Sequence, residues 1–499
     1  MREHGFLTMD LLITGVRVLD ATVTDARPPP TNILIRGGEI AAIGADIGAD
    51  GIETFDGRGH LAVPGFVNAH YHSHDVLLRG RYEQLPLEAW MIWTNPAVYP
   101  RRPDEEVWLR TMLGASEALR TGITTVQDMV SIVGHEPAHA DRLLAAYGQI
   151  GIRAVVGMQI GDLAMADTLP WGHEAPADAL ALMHGAGDPL PMTGFAESLL
   201  HHGTDLLSWA LAPMGPQRVS DTILAWAGRL SAERGLPVFT HTYETRTQAV
   251  VARLNFPQDK GLLIRRLERH GLLGPRLTLA HGVWIDPEEI KQLGAAGANV
   301  ATNAMSNLKL LNGVAPLRAY ARAGVNLAIG CDGCSCSDVQ NMFQGMKAFA
   351  QFWALQGDVG ETGAARAALA AATVGGARAL GLEGKVGLLK PGYRADLSLI
   401  DLSDPSWCPF NDALLQLVYG EAGRGVRHVI VDGRVVVRDR VLLTADETGL
   451  AEQAEAARAA FDPHVRALAQ TNARLTPALL DIFRRAGAYP LPFDRLRLR

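Results

Sequence analysis

The sequence predicts an α/β protein: a closed (β/α)8 barrel of the TIM type, with a small composite β-sandwich formed by the N- and C-terminal segments. Three observations support this prediction. Apolar strand-like runs alternate eight times with helix-like stretches between residues 64 and 383. Several of these runs end in histidine or aspartate, as expected at the catalytic face of a barrel. Short alternating β-segments lie on both sides of this region.

The segments at residues 1–63 and 384–445 are predicted to form the composite β-sandwich. Both contain short alternating runs, such as LLITGVRVLD and VRHVIVDGRVVV, separated by Gly, Pro and Asp turns. Neither segment alone has enough strands to bury a face, so we expect the two to join in space. Residues 446–499 are predicted to form a helical C-terminal extension.

The barrel is predicted to occupy residues 64–383. The stretches between its strands, for instance DEEVWLRTMLGASEALRTG, have helical periodicity and end at or near Gly. A doubly wound open sheet is the alternative, but polar residues converging from strands 1, 5, 6 and 8 favour closure. We expect the eight strands near residues 64–70, 122–129, 151–159, 206–213, 236–242, 276–282, 298–303 and 326–331.

The composition argues against several functional classes. The chain has 499 residues, of which 48% are hydrophobic, so it can bury a large core. Its net charge of −7 and the lack of a Lys/Arg-rich run argue against a nucleic-acid partner. No apolar stretch approaches the length of a transmembrane helix, so we expect no membrane partner. The N-terminus lacks signal-peptide features and the four cysteines form no disulfide framework, which indicates a reduced, cytoplasmic location.

Four residues at strand ends are candidate metal ligands. His70 and His72 end PGFVNAHYH, His241 ends LPVFTH, and Asp332 ends NLAIGCD. Residues i and i+2 of a strand point the same way, so both imidazoles of the H-x-H pair can reach one ion. Asp332 can lie beside His70, because strand 8 neighbours strand 1 in a closed barrel. Imidazoles with one carboxylate suit Zn²⁺ and tolerate Fe²⁺, Mn²⁺ or Co²⁺.

Two further residues are candidates for the chemistry itself. Glu244 lies three residues after His241, near the ion yet not needed to bind it, where a carboxylate can move protons. His281 ends the strand-like run LTLAH and can contact a metal-bound water. His74 extends the H-x-H pair, and we place it behind the ligands or in the pocket.

The cysteines offer a competing interpretation of the region around Asp332. Cys331, Cys334 and Cys336 could indicate a thiolate metal site. Their C-x-x-C-x-C spacing lacks a matching second half, so we interpret them as packing or loop residues.

Longer motifs resemble the amidohydrolase superfamily. They are PGFVNAHYHSHDVLLRG, LPLEAW, HTYETRTQ, LTLAHGVWI, SNLKL, GVAPLRAYARAGVNLAIGCDG and PGYRADLSLIDL. The nearest branch looks like the chlorohydrolase and aminohydrolase group, which contains deaminases and triazine hydrolases. The resemblance extends from about residue 10 to residue 445.

The resemblance implies a one-metal hydrolytic site. One divalent ion per chain, zinc above iron, manganese or cobalt, would be held by His70, His72, His241 and Asp332. Asp332 would also accept a proton as hydroxide attacks, Glu244 would be the proton shuttle, and His281 would orient the attacking water. The segment that contains the end of strand 4, LLSWALAPMGP, lacks the lysine that two-metal members carboxylate. The family also implies a homo-oligomer, a dimer or a tetramer.

These roles predict an aminohydrolase that deaminates an amino-substituted N-heterocycle. The alternative is hydrolytic dechlorination, dealkylamination, or amide or carbamate cleavage of a heterocyclic or aromatic compound at the same site. A catalytically dead scaffold is a third possibility, but it would not need a complete set of catalytic residues. Met214 stands where adenosine-type members carry a histidine, and MIWTNPAVYP lacks their acidic residue. Both departures argue against a nucleoside substrate.

Overall fold

The elements below are those of residues 10–48 and 51–496, which the computed structural model describes. The strands, in chain order, are β1 (Leu11–Val18), β2 (Pro30–Arg36), β3 (Glu39–Gly44), β4 (Glu53–Asp56), β5 (His60–Pro64), β6 (Phe66–Tyr71), β7 (Ile123–Val130), β8 (Arg153–Ile160), β9 (Leu207–Pro213), β10 (Val238–Thr242), β11 (Leu277–His281), β12 (Asn299–Thr302), β13 (Asn326–Ile329), β14 (Leu397–Asp401), β15 (Val426–Val431), β16 (Arg434–Arg438) and β17 (Val441–Leu442).

The α-helices of the same ranges are α1 (Leu87–Thr94), α2 (Asp104–Arg120), α3 (Pro137–Ile150), α4 (Ala177–Leu180), α5 (Pro189–Leu199), α6 (Asp221–Arg234), α7 (Arg246–Asn255), α8 (Leu263–Arg269), α9 (Pro287–Ala296), α10 (Ala304–Lys309), α11 (Leu317–Arg322), α12 (Met342–Leu355), α13 (Ala364–Ala372), α14 (Val374–Ala379), α15 (Ala413–Leu415) and α16 (Glu447–Ala488).

Strands β6 to β13 form a parallel barrel with helices between successive strands. Their order in the sheet follows their order in the chain, which differs from the reversed order of a doubly wound sheet. Two hydrogen bonds join the first strand, β6, to the residues that follow the last strand, β13. The Asp332 amide donates to the His70 carbonyl at 2.9 Å, and the Cys331 amide donates to Asn68 Oδ1 at 2.8 Å. The barrel closes at the position where two of the candidate ligands lie.

Strands from both ends of the chain form one mixed sheet beside the barrel. Within the described ranges its order is β17-β16-β15-β14-β5-β1-β2-β3, and β4 also pairs with β1. The two segments join where β14 pairs antiparallel with β5. The sheet curls over its own apolar core, because β3 bonds to the residues that lead into β14: the Ile40 amide donates to the Tyr393 carbonyl at 2.8 Å.

The predicted fold class is confirmed. Every barrel strand overlaps the range predicted for it, because each is a short apolar run buried on both faces. The composite β-unit also forms, as one continuous curled sheet of N- and C-terminal strands. The division of the chain at residues 63, 384 and 446 stays a prediction.

Helix α16, in the C-terminal segment predicted to be helical, lies across the end of the barrel where the strands finish. Asn472 of this helix donates to the Ile92 carbonyl in α1 at 3.0 Å. Arg246, at the start of α7, donates to the carbonyls of Ala486 and Tyr489 at 2.9 and 2.7 Å. The helix therefore covers the barrel face that carries the candidate site. No helix in the described ranges is both long enough and apolar enough to cross a bilayer.

Candidate metal centre and active site

The six residues predicted from strand ends converge at the C-terminal face of the barrel. His70 lies in β6 and His72 directly after it. His241 lies in β10, and His281 is the last residue of β11. Parallel strands end on one face, so residues far apart in sequence meet there. The remaining two, Glu244 and Asp332, lie in the loops that follow β10 and β13.

Two of the histidines are oriented by backbone carbonyls. The Nδ1 atoms of His72 and His241 lie 2.7 Å from the carbonyl oxygens of Met129 and Met214, respectively. A carbonyl only accepts, so each Nδ1 carries the hydrogen and each Nε2 has a free lone pair. These two Nε2 atoms lie 3.2 Å apart. Two lone pairs at this distance cannot bond to each other, so they need a cation between them.

His70 and Asp332 complete the cluster. Neither ring nitrogen of the fully buried His70 has a hydrogen-bond partner among the described residues. Asp332 Oδ1 lies 3.5 Å from Nε2 of His70 and 3.5 Å from Nε2 of His72. The grouped donor atoms within the described ranges are those of His70, His72 and His241, and those of His70, His281 and Asp332.

This arrangement fits a divalent transition-metal ion. Two nitrogens bound at ~2.0–2.1 Å to one tetrahedral zinc ion lie about 3.3 Å apart, close to the separation of the two Nε2 atoms. Burial, followed by the neighbouring His72 ring, lowers the pKa of His70 well below its ordinary value. Burial and then the His70 ring have the same effect on His241. Metal ligation requires neutral imidazole, so the buried cluster holds these rings in the ligand form.

Glu244 and His281 lie on the other side of Asp332. His281 Nε2 is 3.5 Å from Glu244 Oε2 and 3.8 Å from Asp332 Oδ2. Two asparagines fix the orientations: His281 Nδ1 donates to Asn307 Oδ1 at 2.9 Å, and Asn312 donates to Glu244 Oε1 at 3.1 Å. The Asp332 carboxylate thus directs one oxygen to the His70 and His72 rings and the other to His281.

Their surroundings shift the pKa values of the Glu244 and Asp332 carboxyl groups in opposite directions. Burial, and then the negative charge of Asp332, raise the pKa of Glu244 well above its ordinary value. Burial also opposes ionisation of Asp332, but the neighbouring His281 and His72 outweigh it and lower the pKa of that carboxyl. Glu244 is therefore set up to hold a proton while Asp332 stays ionised. A pair of carboxyl groups with separated pKa values is typical of an acid and a base at one site.

The loop that carries Asp332 is held by residues to which the sequence analysis gave no role. Asp75 accepts hydrogen bonds from the amides of Cys334 and Ser335, both at 2.9 Å, and from the Ser335 hydroxyl at 2.5 Å. Gln340 donates to the Asp332 carbonyl at 2.7 Å. Asp75 lies in the quoted HYHSHD stretch and Asn307 in SNLKL, so both residues could have been found from the motifs used for the family resemblance.

His74 and the cysteines lie outside the donor clusters. His74 Nδ1 accepts the Ser131 amide at 3.2 Å and its ring lies 5.0 Å from that of His72. Cys331, Cys334 and Cys336 are buried free thiols. Burial raises the pKa of Cys334 to about 12. The three cysteines pack the loop, in agreement with the interpretation based on their spacing.

Comparisons with known proteins place this site in a family. A 5-methylthioadenosine/S-adenosylhomocysteine deaminase from Syntrophobacter fumaroxidans is 32% identical, over 88% of this chain and 95% of that protein. The crystal structure of an adenosine deaminase from Xanthomonas campestris with bound zinc is 30% identical with a TM-score of 0.78, over 91% of this chain and 99% of that one. That of an atrazine chlorohydrolase from Arthrobacter aurescens TC1, complexed with zinc, is 25% identical with a TM-score of 0.78, over 90% and 100%.

A family pattern also matches most of the chain. Residues 61–436 fit the sequence pattern of the amidohydrolase family, and this range includes every strand of the barrel and every candidate site residue. The predicted superfamily and its deaminase and triazine hydrolase branch are confirmed. The chain belongs to the amidohydrolase family.

Proposed function

We propose that this protein is a metal-dependent aminohydrolase that removes an amino group from an N-heterocycle. The observation that carries the proposal is the position of Glu244 and Asp332, whose carboxylate oxygens lie 3.5 and 3.8 Å from His281 Nε2, beside a histidine cluster that fits a metal ion. Hydrolysis of an aminated ring carbon needs a base for the attacking water and an acid for the ring nitrogen. The names of the relatives, which are deaminases of adenosine derivatives, support the same reaction.

We assign His70, His72, His241 and Asp332 to one divalent ion, zinc in preference to iron, manganese or cobalt. The two similar crystal structures described above, both with zinc, support this choice. Bound there, the ion would supply the Lewis acidity that brings the pKa of water towards ~7.

The residues around Asp332 would then divide the proton transfers. Asp332 Oδ2 accepts a proton from the attacking water, which His281 orients. Glu244 protonates the ring nitrogen next to the attacked carbon, so that negative charge does not build up on the ring. The carbon–nitrogen bond then breaks as the amine takes the proton held by Asp332 and leaves as ammonia. The hydroxyl proton on the attacked carbon returns to Glu244 as the ring carbonyl forms. Each step uses one carboxyl group in the protonation state that its surroundings favour.

The second candidate function is hydrolysis that displaces a different leaving group from the ring. The similarity to an atrazine chlorohydrolase and the methionine at position 214 favour it. In that reaction chloride or an alkylamine would leave in place of ammonia, or an amide or carbamate would be cleaved.

The deciding experiment is a screen of ammonia release with the purified protein. The panel contains aminated pyrimidines, purines with and without a substituted ribose, and triazines, with chloride and alkylamine release measured in parallel. We expect about one transition-metal ion per chain, ammonia release from at least one ring, and no turnover by Asp332→Ala. An active preparation without metal would overturn the assignment.

Glu244→Gln tests the proton shuttle separately from metal binding. This variant should keep its metal and lose about 10²- to 10⁴-fold in kcat, because general acid–base catalysis is typically worth that much. Glu105→Gln, which changes an exposed carboxylate on α2, is the matched control and should keep full activity. Full activity in Glu244→Gln would show that the shuttle assignment is wrong.

We further propose a cytoplasmic homo-oligomer, a dimer or a tetramer, whose partners are a heterocyclic small molecule and water. The free buried cysteines support a reducing location, and the net charge of −7 argues against nucleic acid. Light scattering of the purified chain measures the oligomeric state.

A further inference from the structure

The cavity at the histidine cluster is too small to hold a whole substrate. It has a volume of about 50 Å³ and is lined by His241, Glu244 and Asp332 among others. A second cavity of about 540 Å³ lies next to it and shares the wall residues Met91, Asn95, Gln159 and Arg218. Small-molecule sites in proteins usually measure about 300–1,000 Å³. A substrate whose reacting carbon lies at the cluster must therefore extend into the second cavity.

The wall of the second cavity is rich in methionine. Met91, Met165, Met183, Met192 and Met214 all line it. Unbranched thioether side chains adapt their shape to an apolar ligand, and methionine is frequent at surfaces that accommodate such groups. Gly161 makes room for one of them, since a Cβ at that position would stand 3.2 Å from Met214 Cε. The cavity suits a large, flexible apolar substituent.

Arg218 lies at the junction of the two cavities, where the carboxyl groups of Glu88 and Glu244 act on its charge without contacting it. Its guanidinium group makes no ion pair or side-chain hydrogen bond with any described residue, although it lines both cavities. Arg218 is partly exposed, so a ligand oxygen that enters from the cavities can reach its guanidinium N–H groups. Two polar atoms at the same wall, Glu88 Oε2 and Gln217 Nε2, are also buried without a partner in the described ranges. The junction is built to bind a polar group.

We propose that the substrate carries a large apolar substituent, bound in the methionine-lined cavity, and a carboxylate near the ring, bound by Arg218. A carboxylate matches the planar guanidinium fork with two parallel hydrogen bonds. A phosphate dianion fits less well, because Arg218 is the one arginine or lysine that lines either cavity within the described ranges, and Glu88 and Glu244 lie on the same walls. The proposal rests on the proposed function and specifies the substrate class of that site.

A matched series of ligands and two variants test the proposal. The series contains an aminated heterocycle alone, the same ring with a long apolar substituent, and that compound with a carboxylate or a phosphate beside the ring. Arg218→Met should reduce the preference for the carboxylated over the uncharged compound, measured as the ratio of kcat/KM values, by about 10- to 100-fold. Arg229→Met, on the exposed face of α6, is the matched control and should leave this ratio unchanged. A ratio that does not change in Arg218→Met, or a native preference for the phosphate, would overturn the role of Arg218.

Met192→Trp tests the cavity, because Met192 lines the second cavity and not the pocket at the cluster. The preference for the long substituent over the bare ring should fall at least tenfold. Met165→Trp, in the same wall, repeats the test if the first variant does not fold. Preferences that match those of the native protein in both variants would show that the substituent binds elsewhere.

Direct binding separates a failure of this inference from a failure of the proposed function. Calorimetry measures binding of the carboxylated, long-substituent compound with hydrogen in place of the amino group. Binding that weakens in Arg218→Met and Met192→Trp supports the cavity assignment even if no ammonia is released from any ring. Turnover of the bare ring with no gain from substituent or carboxylate would leave deamination intact and refute the inference.

Discussion

At the residue scale, the orientation of two candidate ligands depends on backbone and not on side chains. The carbonyls that fix His72 and His241 belong to Met129 and Met214, which lie at the ends of other barrel strands. That the six candidate residues converge could be predicted, because each lies at or just after the end of an apolar run. Their orienting contacts could not, because they join elements distant in sequence. Arg218 is the clearest omission: it lies in the loop between β9 and α6, and no motif or spacing distinguishes it from a surface arginine.

Asp75 provides a test of how the Asp332 loop is held. In Asp75→Asn one oxygen becomes an NH2 group, which cannot accept the hydrogen bonds of the Ser335 or Cys334 amide. We expect a loss of about 1–3 kcal/mol in the free energy of unfolding, the usual cost of an unsatisfied buried group, together with weaker metal retention. Denaturant unfolding and metal analysis measure the two effects.

The control for this change lies in the same loop. Asp338 is one-third exposed and accepts the amide of Gly80, so Asp338→Asn should alter stability by well under the loss in Asp75→Asn. Equal effects of the two variants would mean that Asp75 does not have a special role in holding Asp332.

At the element scale, local patterns explain the strands and helices but not how the long helix packs. The eight barrel strands are buried apolar runs, which is why the sequence located them to within a few residues. The C-terminal helix was predicted as a helix, yet its position over the barrel depends on single contacts. Asn472 reaches the Ile92 carbonyl and Arg246 reaches the helix end. Neither the periodicity nor the composition of the sequence indicates which residues make such contacts.

Glu289, in the first turn of helix α9, should make the stability of the folded chain depend on pH. Burial raises the pKa of Glu289 to about 7 from an ordinary value of 4.5, although the Ile264 amide and the Tyr243 hydroxyl donate to it. Between these pH values the folded chain holds this proton more tightly than the unfolded chain. The contribution to stability is therefore complete below pH 4.5, falls as the pH rises to 7, and is lost above it, a total change of about 3 kcal/mol.

Urea unfolding at pH 5 and pH 8 measures this change. Glu289→Gln should show a smaller difference in unfolding free energy between the two pH values than the native chain does. Glu288→Gln, at a neighbouring exposed position, should keep the native difference. The same pH dependence in all three proteins would refute the assignment to Glu289.

At the scale of the whole molecule, one buried arginine links the barrel to the composite sheet. Arg153, the first residue of β8, donates to Asp396 at 2.9 and 3.1 Å and to Asp432 at 3.0 Å. All three side chains are less than a tenth exposed. The joining of the N- and C-terminal segments followed from their strand counts. This ion cluster could not be predicted, because Arg153 lies more than 200 residues before both aspartates and no single motif contains all three.

Removal of this arginine should destabilise the entire chain. Arg153→Met leaves the buried Asp396 carboxylate without its cation, whereas Asp432 keeps its ion pair with Arg394. Breaking a buried pair in this way typically costs about 3–5 kcal/mol. Arg427→Met, which removes an exposed partner of Asp401 and Asp439, should cost less than about 1 kcal/mol. Urea unfolding of both variants decides the matter, and similar small losses would show that the Arg153 cluster does not stabilise the link.

The pairing of β5 with β14 has a consequence for synthesis on the ribosome. Leu397 pairs with Pro64, so about 330 further residues must be made before β5 meets its partner. At ~5–20 residues per second, one edge of β5 stays open for roughly 20–70 s in a nascent chain. An open strand edge is a template for pairing with other chains. Fragments that stop before β14 should therefore aggregate, and full-length yield should depend on whatever shields that edge while translation continues.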